Sequence, residues 1–475
     1  MALLPSKKTK IVCTIGPASQ SQEVLERMIR NGMNIARINF AHGDFEDHRR
    51  TIANVRAAAQ TVGQRVAIFG DLPGPKMRIG KLADEPIYLE RGQSFIMQAA
   101  GIVGNKERVS MNFEALPQVI QPGDHIFVND GYIQLKVEAV VEQEVHCRVQ
   151  AGGELRSHKG VNLPGIDLGI SAFTERDREC LEFAAEQGLD GVSQSFVESA
   201  KDIEAVRAAA KSLGYDPFII AKIERSRALD HLAEILDRAD GLMVARGDLG
   251  VEIPIERVAV TQKELIHQAN LHSKPVITAT HMLESMTDHR RPTRAEATDV
   301  ANAILDGSDG VMLSGETAVG SYPDEAVATM ARIARITEDN RNNFGLADEL
   351  RAKMESGEIA RPDLISLNIY FAARILNPAL LFIPSASGAT ARRISRFRLP
   401  QWIVAISLDE ATAQKLQFSY GVYPEYLPAN PSSWPRYVQN WFQQCSLKGD
   451  LLLLVEGAGT LKAGDTTRLD IIDLS

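Results

Sequence analysis

The chain has 475 residues, more than the ~250 to 300 at which single domains usually stop growing, so we expect two or three domains. Apolar residues make up 44% and charged residues 24%, which are ordinary globular values and exclude a disordered or fibrous chain. The net charge of -9 at pH 7 excludes a basic field for nucleic acid or for an anionic membrane surface.

Short β-branched runs alternate with longer amphipathic stretches, which favours repeated βα units around a parallel sheet. Eight runs have the character of strands, beginning at Lys8, Met33, Val66, Gly191, Asp216, Gly241, Lys274 and Asp309. The stretches between them carry helix caps, such as Ser19 or Ser21 before the first helix and Thr174 before a later one. The pattern predicts a (β/α)8 TIM barrel.

The interval between the third and fourth strands is roughly 90 residues too long for one βα unit. Within it, residues 125–150 alternate apolar and polar side chains, with a turn signal at Asp130-Gly131. We therefore predict a β-barrel-like lid domain over residues 73–164. It would interrupt a barrel formed by residues 1–72 and 165–341.

A third domain is predicted after the barrel. The polar stretch of residues 342–362 is typical of a domain junction. Beyond it, the runs ALLFIPS, QWIVAISL and DLLLLVEG are apolar enough to be buried strands. These features predict a C-terminal α/β domain over residues 342–475.

Polar side chains recur at the predicted carboxyl ends of the strands, where barrels of this kind carry their active sites. Side chains two apart on a strand share a face, and that spacing occurs in the pairs Arg37 and Asn39, Lys222 and Glu224, Arg246 and Asp248, and Ser314 and Glu316. Asp71 and Thr280 end two further strands. One such pair alone is typical of a surface salt bridge. Charged or hydroxyl side chains at six strand ends of one barrel favour an active site. Buried charges need partners, so such an arrangement would be costly if it served packing alone.

Glu224 and Asp248 offer hard oxygen ligands, with no His or Cys nearby to suggest zinc. Two carboxylates completed by substrate oxygens are the usual way to hold Mg²⁺, which indicates a phosphate substrate. Lys222, Arg37 and Arg78 could stabilise charge on a transferring phosphoryl group.

Three other signals have simpler explanations. The spacing of His42 and His48 resembles a metal site, yet the charged neighbours of His48 indicate a solvated helix. Trp434 and Trp441 are more typical of packing residues than of a recognition platform. The four cysteines include no CxxC pair, which argues against disulfides and thiolate zinc sites. With no apolar signal segment or membrane span, we predict a cytoplasmic protein.

The stretch SASGATARR, residues 385–393, offers hydroxyls, a glycine and basic side chains at a predicted helix start. Free N-H groups at such a position favour anions, so the stretch is a candidate phosphate site. The alternative is a simple capped turn.

Nine blocks of the sequence resemble those of pyruvate kinases, in that family's order and over essentially the whole chain. They are TKIVCTIGPAS, NIARINFAHG, GDLPGPKMRIG, KGVNLPG, IIAKIERSRAL, MVARGDLGVEIP, TATHMLESM, RPTRAEATDVANAILDGSDGVMLSGETA and SGATARRISRFR. The resemblance implies a barrel domain, an inserted β-rich lid and a C-terminal domain with effector sites in many members. It also implies phosphoryl transfer from phosphoenolpyruvate to ADP, the final step of glycolysis, by a homotetramer.

The resemblance implies roles for individual residues. Glu224 and Asp248 would hold Mg²⁺ or Mn²⁺, and Lys222 would neutralise the phosphoryl group in flight and the enolate left behind. Arg37 and Arg78 would hold phosphates. The pyruvyl carboxylate would be held by the backbone of Ala245, Arg246, Gly247 and Asp248.

Further roles follow from the same resemblance. Thr280 and Ser314 would belong to the relay that protonates enolpyruvate, with Glu316 supporting them. The nucleotide would lie near Asn39, His42, Arg78 and Lys159, the last brought in by lid closure. A phosphorylated effector would contact Ser385, Ser387, Gly388 and Thr390.

Four positions depart from the common family pattern. Ala41 replaces a serine that helps to hold a monovalent cation, and Lys76 replaces a glutamate that accompanies potassium dependence. These two changes predict an enzyme that does not require K⁺. The Lys76 ammonium would supply the positive charge that the ion supplies in other members. His281 replaces a usual glutamine, and Ala389 replaces a common arginine of the effector loop.

Two other classes of function share parts of this pattern. A phosphoenolpyruvate or pyruvate lyase on a related barrel also holds Mg²⁺ with Glu and Asp, but needs neither the lid nor the cationic Lys222. A non-catalytic effector-binding scaffold would not need Lys222, Glu224, Asp248 and Thr280 intact.

Overall fold

The computed structural model describes residues 4–99, 101–341, 345–457 and 466–474. Its first five elements alternate strand and helix as predicted. Ser21, not Ser19, caps the first helix, accepting a hydrogen bond from Val24 N. The elements are β1 (Lys10–Thr14), α1 (Gln22–Arg30), β2 (Ile35–Asn39), α2 (Phe45–Val62) and β3 (Ala67–Leu72).

An insert of short strands follows β3, with its own apolar core around Phe95, Leu135 and Val149. The strands form a six-stranded sheet in the order β11-β7-β8-β9-β5-β6 and a separate pair, β10-β4. Asp130 and Gly131 lie in the predicted turn between β7 and β8, with φ of 56° and 84°. The elements are β4 (Ile87–Leu89), β5 (Ser94–Gln98), β6 (Arg108–Ser110), α3 (Leu116–Val119), β7 (His125–Val128), β8 (Ile133–Val141), β9 (Glu144–Ala151), β10 (Gly153–Leu155) and β11 (Val161–Asn162).

The chain then completes the barrel. Thr174 caps α4 in a capping box with Asp177, as its position in the sequence predicts. The elements are α4 (Glu175–Glu186), β12 (Gly191–Gln194), α5 (Ala200–Ser212), β13 (Phe218–Ile223), α6 (Arg227–Asp230), α7 (Leu232–Arg238), β14 (Gly241–Ala245), α8 (Arg246–Glu252), α9 (Val258–Leu271), β15 (Val276–Ala279), α10 (Arg294–Leu305), β16 (Gly310–Leu313), α11 (Gly315–Ala318) and α12 (Pro323–Asp339).

Eight parallel strands close into one barrel in the order β1-β16-β15-β14-β13-β12-β3-β2. All eight are the strands predicted from the sequence, and the TIM barrel is confirmed. The strands are apolar on both faces because one face fills the barrel interior while the other packs against the helices. Phe69 and Met243 belong to the interior, whereas Ile68 and Leu242 pack on the outside.

The C-terminal elements form an α/β unit around a five-stranded sheet in the order β19-β18-β17-β20-β21, in which β21 is antiparallel. The stretch predicted as a domain junction contains a helix, α13 (Leu346–Glu355). This helix belongs to the C-terminal unit because Leu346 and Leu350 pack into its core. Trp441 packs edge-on against Phe382, as predicted. The elements are α13 (Leu346–Glu355), α14 (Arg361–Leu376), β17 (Leu380–Pro384), α15 (Ala389–Ser395), β18 (Trp402–Ser407), α16 (Glu410–Lys415), β19 (Val422–Tyr426), α17 (Trp434–Gln444), β20 (Leu451–Gly457) and β21 (Thr466–Asp473).

The C-terminal unit packs against the amino ends of the barrel strands, here called the barrel floor. Phe418 stacks on Phe218 of β13 with ring centroids 4.6 Å apart and joins the interior core. Arg398 forms a buried ion pair of 2.6 Å with Asp309, which precedes β16. The floor is therefore closed by packing, and the polar carboxyl ends of the strands lie at the other end, here called the barrel mouth.

Candidate active site

The strand ends at the barrel mouth bring charged side chains into one network. Lys222 of β13 is central, with its Nζ 2.9 Å from Glu224 Oε1 and 3.3 Å from Asp71 Oδ1. It also donates a hydrogen bond of 2.7 Å to Ser195 Oγ. From β2, Arg37 Nε donates to Asp71 Oδ2 at 3.1 Å. Residues that the sequence singled out on separate strands are thus in direct contact.

Asp71 joins the two cations of this network. It is only 3% exposed and accepts a further hydrogen bond of 2.5 Å from Ser193 Oγ. Burial acts to raise its pKa, but the charges of Lys222 and Arg37, with these hydrogen bonds, hold the pKa of Asp71 at about 2. Sequence reasoning missed Ser193 of β12 and Ser195 just beyond that strand, although they show the same two-residue spacing.

Lys222 and Glu224 share one buried environment. Burial acts to lower the pKa of Lys222, but the carboxylates of Asp71 and Glu224 outweigh it and raise that pKa. Burial raises the pKa of Glu224, and the nearby charge of Asp248 adds to the effect against the opposing charge of Lys222. The mouth therefore holds a charged ammonium beside carboxylates, and a further cation would stabilise the charged form of those carboxylates.

Glu224 and Asp248 have the donor chemistry of a divalent metal site. Glu224 is fixed by a hydrogen bond of 2.9 Å from Phe196 N to its Oε2, while Asp248, in the first turn of α8, keeps 27% of its side chain exposed. Within the described residues no group of three or more His, Cys, Asp or Glu side chains could hold a metal. Two carboxylates fit a hard ion that takes its remaining oxygens from substrate and water.

Lys76 lies beside one of these carboxylates. Its Nζ is 4.0 Å from Asp248 Oδ1, and 40% of its side chain is exposed. At the end of β2, Asn39 Oδ1 accepts a hydrogen bond of 3.2 Å from Ala41 N. The Lys76 ammonium therefore lies beside one of the two carboxylates that have the chemistry of metal ligands.

The first turn of α8 lies against the end of β15. A Cβ added at Gly247 would lie 2.8 Å from Thr280 Cγ2, so glycine permits this approach. Thr280 and His281 have φ of 76° and 54°, in the left-handed region that β-branched residues avoid. Such strain at a strand end is typical of functional sites.

The Arg246 side chain stabilises this strained turn through hydrogen bonds to its backbone carbonyls. Its guanidinium donates to Thr280 O at 2.7 Å and to Ala279 O at 3.2 Å, and it pairs with Asp299 at 2.7 Å. The side chain is therefore engaged away from the Lys222 network. Only the backbone of Arg246 remains available for the role that the sequence predicted.

Glu316 is wholly buried and accepts hydrogen bonds from Ser314 N at 2.6 Å and from Leu283 N at 2.9 Å. Burial raises its pKa, against these hydrogen bonds. Glu316 therefore joins the end of β16 to the turn after β15, and it fixes the backbone that carries Ser314.

The predicted nucleotide residues are less tightly grouped. Arg78 belongs to the insert, and its Nη1 donates to His158 O at 2.9 Å, next to Lys159. In the part of the chain that the structure describes, no hydrogen bond or ion pair joins Arg78 or Lys159 to Lys222. His42 is exposed near Asn39.

His48 differs from the expectation of a solvated helix face. Its ring packs edge-on against Phe40, with centroids 5.3 Å apart, and burial lowers its pKa. The helix face is half-buried because Phe45 and His48 of α2 pack against Phe40 and Phe183.

The candidate effector loop, residues 385–390, lies far from the mouth, after β17. Ser385 Oγ accepts a hydrogen bond of 3.0 Å from Gly388 N, which has φ of 72°. Arg392 Nη2 donates to Ser387 O at 2.8 Å. The loop is thus a turn closed by its own hydrogen bonds, with basic residues behind it.

Membrane insertion has no support from the helices: among the described residues none is both long and apolar enough to cross a bilayer. The four cysteines are buried and unpaired.

Comparison with known proteins accounts for both halves of the molecule. Residues 6–327 match the family described as pyruvate kinase, barrel domain, and residues 363–472 match pyruvate kinase, alpha/beta domain. A pyruvate kinase of Thermococcus litoralis is 46% identical over 468 residues, covering 98% of this chain and 95% of that relative. One from Staphylococcus aureus is 40% identical over 472 residues, covering 98% of this chain and 80% of its own length.

A solved structure agrees over the same extent. The crystal structure of a pyruvate kinase from Cryptosporidium parvum superimposes with a TM-score of 0.90 at 34% identity, covering 99% of this chain and 97% of that one. Both family matches, the relatives and the architecture point the same way, and the chain belongs to the pyruvate kinase family.

Proposed function

We propose that Lys222, Glu224 and Asp248 carry out, in this chain, the reaction of its family: transfer of the phosphoryl group of phosphoenolpyruvate to ADP, giving pyruvate and ATP. The observation that supports these assignments is the contact network in which Lys222 Nζ lies within 3.3 Å of both Asp71 and Glu224. A buried ammonium that carboxylates keep charged is suited to stabilise charge that develops during transfer.

Divalent metal use is general in the family, and we assign Mg²⁺ or Mn²⁺ to Glu224 and Asp248. When bound, the ion supplies positive charge to the phosphate oxygens of the substrates. Glu224 is pre-positioned by its hydrogen bond from Phe196 N, and the partly exposed Asp248 can accept a ligand without losing a buried partner.

Lys222 and Arg37 act on the transferring group. The Lys222 ammonium neutralises charge on the phosphoryl group and on the enolate oxygen that remains, whereas Arg37 holds phosphate oxygens. Asp71 positions both cations, because it accepts from Arg37 while it contacts Lys222.

The enolate is then protonated at carbon 3. We assign the proton-carrying hydroxyls to Thr280 and Ser314, with Glu316 fixing the backbone of Ser314. The backbone N-H groups of residues 245–248 hold the pyruvyl carboxylate. Because Gly247 lies against Thr280, carboxylate and hydroxyl would meet the substrate from one side.

We assign residues 73–164 as a lid over the barrel formed by residues 1–72 and 165–341. Closing the lid would carry Arg78 and Lys159 to the nucleotide phosphates, with Asn39 and His42 on the barrel side. Lid closure excludes water, which protects the phosphoryl group from hydrolysis.

Three further assignments go with this function. Lys76 stands in for a monovalent cation, supported by its distance of 4.0 Å from Asp248. Residues 342–475 serve regulation and assembly into a homotetramer, with a phosphorylated effector at Ser385, Ser387, Gly388 and Thr390. The buried, unpaired cysteines suit a reducing cytoplasm.

A coupled assay tests the central proposal. Purified protein should form pyruvate and ATP in equal amounts from phosphoenolpyruvate and ADP, and only with Mg²⁺ or Mn²⁺ present. Undiminished activity in excess EDTA would contradict the metal assignment. Pyruvate formed without ATP would contradict the phosphoryl transfer.

A further inference from the structure

The chain enters the insert at residues 73–77 and returns to the barrel at residues 163–167, here called the return segment. Three consecutive residues directly after Glu224, at the end of β13, hold this segment. The contacts are Arg225 Nη2 to Ile166 O at 2.9 Å and to Leu163 O at 3.4 Å, Ser226 Oγ to Gly165 N at 3.1 Å, and Arg227 Nη2 to Asp167 Oδ2 at 2.9 Å. The proposed lid is therefore attached to the barrel beside a proposed metal ligand.

Arg225 is the buried centre of these contacts, with 2% of its side chain exposed. Its Nη2 is 3.1 Å from Glu198 Oε1, and its Nε is 3.7 Å from Glu252 Oε2. A buried guanidinium needs such partners, and its planar fork suits several acceptors at once. Because breaking a buried pair is costly, Arg225 fixes the elements that carry its acceptors relative to one another.

The two carboxylates belong to the elements that orient the proposed metal ligands. Glu252 is the last residue of α8, and Asp248 lies in the first turn of that helix. Glu198 lies two residues after Phe196, whose N-H donates to Glu224 Oε2 at 2.9 Å. One arginine thus joins the return segment to both halves of the metal site. Contacts of this kind around metal ligands set the orientation of the ligands.

The outgoing segment, residues 73–77, reaches the same loop from the other side. Gly74 has φ of 63°, and a Cβ added there would lie 2.9 Å from Phe196 Cδ2. Phe196 itself has φ of 58°, in the left-handed region. Both connections of the lid therefore pack against the residues that fix Glu224, and a contiguous path of contacts runs from the lid to that carboxylate.

The Arg225 network is not fully bonded in this arrangement. Arg225 Nε has no hydrogen-bond partner among the residues that the structure describes. At 3.7 Å from Glu252 Oε2, it lies about 0.5 Å beyond hydrogen-bond range. A small shift of the return segment relative to α8 would complete this bond, so the network is able to favour one lid position over another.

We propose that Arg225 is a positioning residue that couples the position of the lid to the geometry of the metal site. This inference rests on the proposed function, which assigns both the lid and the metal ligands. Arg225 acts through Glu198 and Glu252, not on a substrate. Because Arg78 and Lys159 of the insert are assigned to the nucleotide, loss of the coupling should weaken the use of ADP and Mg²⁺ more than that of phosphoenolpyruvate.

Arg225→Lys tests the coupling by kinetics. It keeps the buried charge, but one ammonium cannot reach the carbonyls and both carboxylates that the guanidinium contacts. The KM for ADP and the Mg²⁺ concentration for half-maximal rate should each rise by about fivefold or more, while the KM for phosphoenolpyruvate stays within about twofold. A purely structural loss would lower the amount of active enzyme, and hence the apparent kcat, without changing these concentrations.

Arg398→Lys is the matched control. Arg398 is as buried as Arg225, with 1% of its side chain exposed, and it pairs with Asp309 at the barrel floor, away from the lid. Its substitution should cost similar stability and leave the KM for ADP within about twofold of wild type. A similar rise in both variants would overturn the inference, because it would show that the use of ADP responds to the loss of any buried arginine.

Spin labels report the lid position without relying on activity. One label is placed on the insert by Lys106→Cys and the other on α5 by Lys211→Cys, both at exposed positions, while the native cysteines are buried. Double electron-electron resonance measures the distribution of distances between the labels. Adding Mg²⁺ and ADP should narrow this distribution in the wild-type and Arg398→Lys backgrounds. The narrowing should be smaller in Arg225→Lys.

If Arg225→Lys does not fold, Arg227→Met replaces it, because the Arg227 side chain is 33% exposed and its loss releases Asp167 of the return segment. The same changes are expected at about threefold, with Arg238→Met, an exposed arginine paired with Glu204, as control. A wild-type KM for ADP, or wild-type label distances, in the folded variant would overturn the inference. Absence of pyruvate formation, with the label response present in wild type and reduced in the variant, would count against the proposed function and still support the coupling.

Discussion

Two buried lysines at opposite ends of the barrel show what decides whether a buried amino group is protonated. Lys222 at the mouth and Lys10 at the floor are 8% and 4% exposed. For Lys222 burial is outweighed by Asp71 and Glu224, and the pKa is raised. For Lys10 burial, assisted by the charge of Lys7, lowers the pKa to about 7.

The difference lies in the partners. Lys222 contacts two carboxylates within 3.3 Å, whereas Lys10 donates to Val422 O at 2.7 Å and to Gln417 Oε1 at 3.4 Å. Neutral acceptors satisfy the donors of Lys10 without fixing its charge. The mouth lysine is thus prepared to act on an anion, while the floor lysine joins the barrel to the C-terminal unit.

Removing the mouth charge should have the largest effect. We expect Lys222→Met to lower kcat by roughly 10² to 10³, because the lost charge acts on the transition state. The KM for phosphoenolpyruvate should change little. Steady-state kinetics with saturating Mg²⁺ measure both kcat and KM. Lys211→Met, which removes an exposed charge on α5, is the control. A raised KM with an unchanged kcat would contradict the role given to Lys222.

Weakening the metal site should have the next largest effect. Asp248→Asn removes one full ligand charge, so the Mg²⁺ concentration for half-maximal rate should rise by at least about tenfold. Rates measured over a range of Mg²⁺ concentrations give this value. Asp84→Asn, an exposed change in the insert, should leave it unaltered. An unchanged Mg²⁺ requirement in Asp248→Asn would exclude that residue as a ligand.

The sequence predicted the barrel well because each barrel strand carries its own local signal. The strands that escaped prediction lack one. β19 is interrupted by Pro424, and β21 carries the charged residues Arg468, Asp470 and Asp473 at the edge of its sheet. Helix α13 was missed because five of its ten residues are charged, and Leu346 and Leu350 are buried only by tertiary packing.

The candidate site was predictable as a set of residues but not as a set of contacts. The two-residue spacing identified Lys222 and Glu224, and it was equally present in Ser193 and Ser195. Nothing local indicated that Asp71 would bridge Arg37 and Lys222, or that the Arg246 side chain would turn away to Asp299. These contacts depend on which strands become neighbours when the barrel closes.

The floor lysine should make stability depend on pH. Between the folded pKa of Lys10, about 7, and the unfolded value near ~10.4, the unfolded chain binds more protons, so the free energy of unfolding should rise with pH. The contribution should be roughly 2 kcal/mol between pH 7 and 9. Lys7, whose pKa is lowered to about 8, acts in the same direction.

Urea unfolding of wild type and Lys10→Met at pH 7, 8 and 9 isolates the effect of Lys10, because Lys7 is common to both. The stability difference between the two proteins should grow in favour of wild type as pH rises. Parallel stability curves would show that Lys10 stays charged in the folded protein.

The smallest expected effect is that of potassium on the wild-type rate. Lys76 Nζ lies 4.0 Å from Asp248 Oδ1, so an ammonium already supplies positive charge beside the proposed metal ligands. An added K⁺ would be repelled by that ammonium. It would also find a methyl group at Ala41, where a serine oxygen is the usual ligand. Rates in KCl and in tetramethylammonium chloride, at equal ionic strength and saturating Mg²⁺, should agree within about twofold.

Two substitutions sharpen this prediction. Lys76→Glu removes the tethered cation and adds a carboxylate, so a K⁺ dependence should appear, although a weak one because Ala41 offers no oxygen. Adding Ala41→Ser should make the dependence strong, since it restores the serine oxygen that Ala41 lacks. Ala41→Ser alone is the control and should behave as wild type, because the Lys76 ammonium remains. A stimulation of wild type by K⁺ of about tenfold or more would contradict the assignment of Lys76, since it would mean that the ion binds in spite of the ammonium.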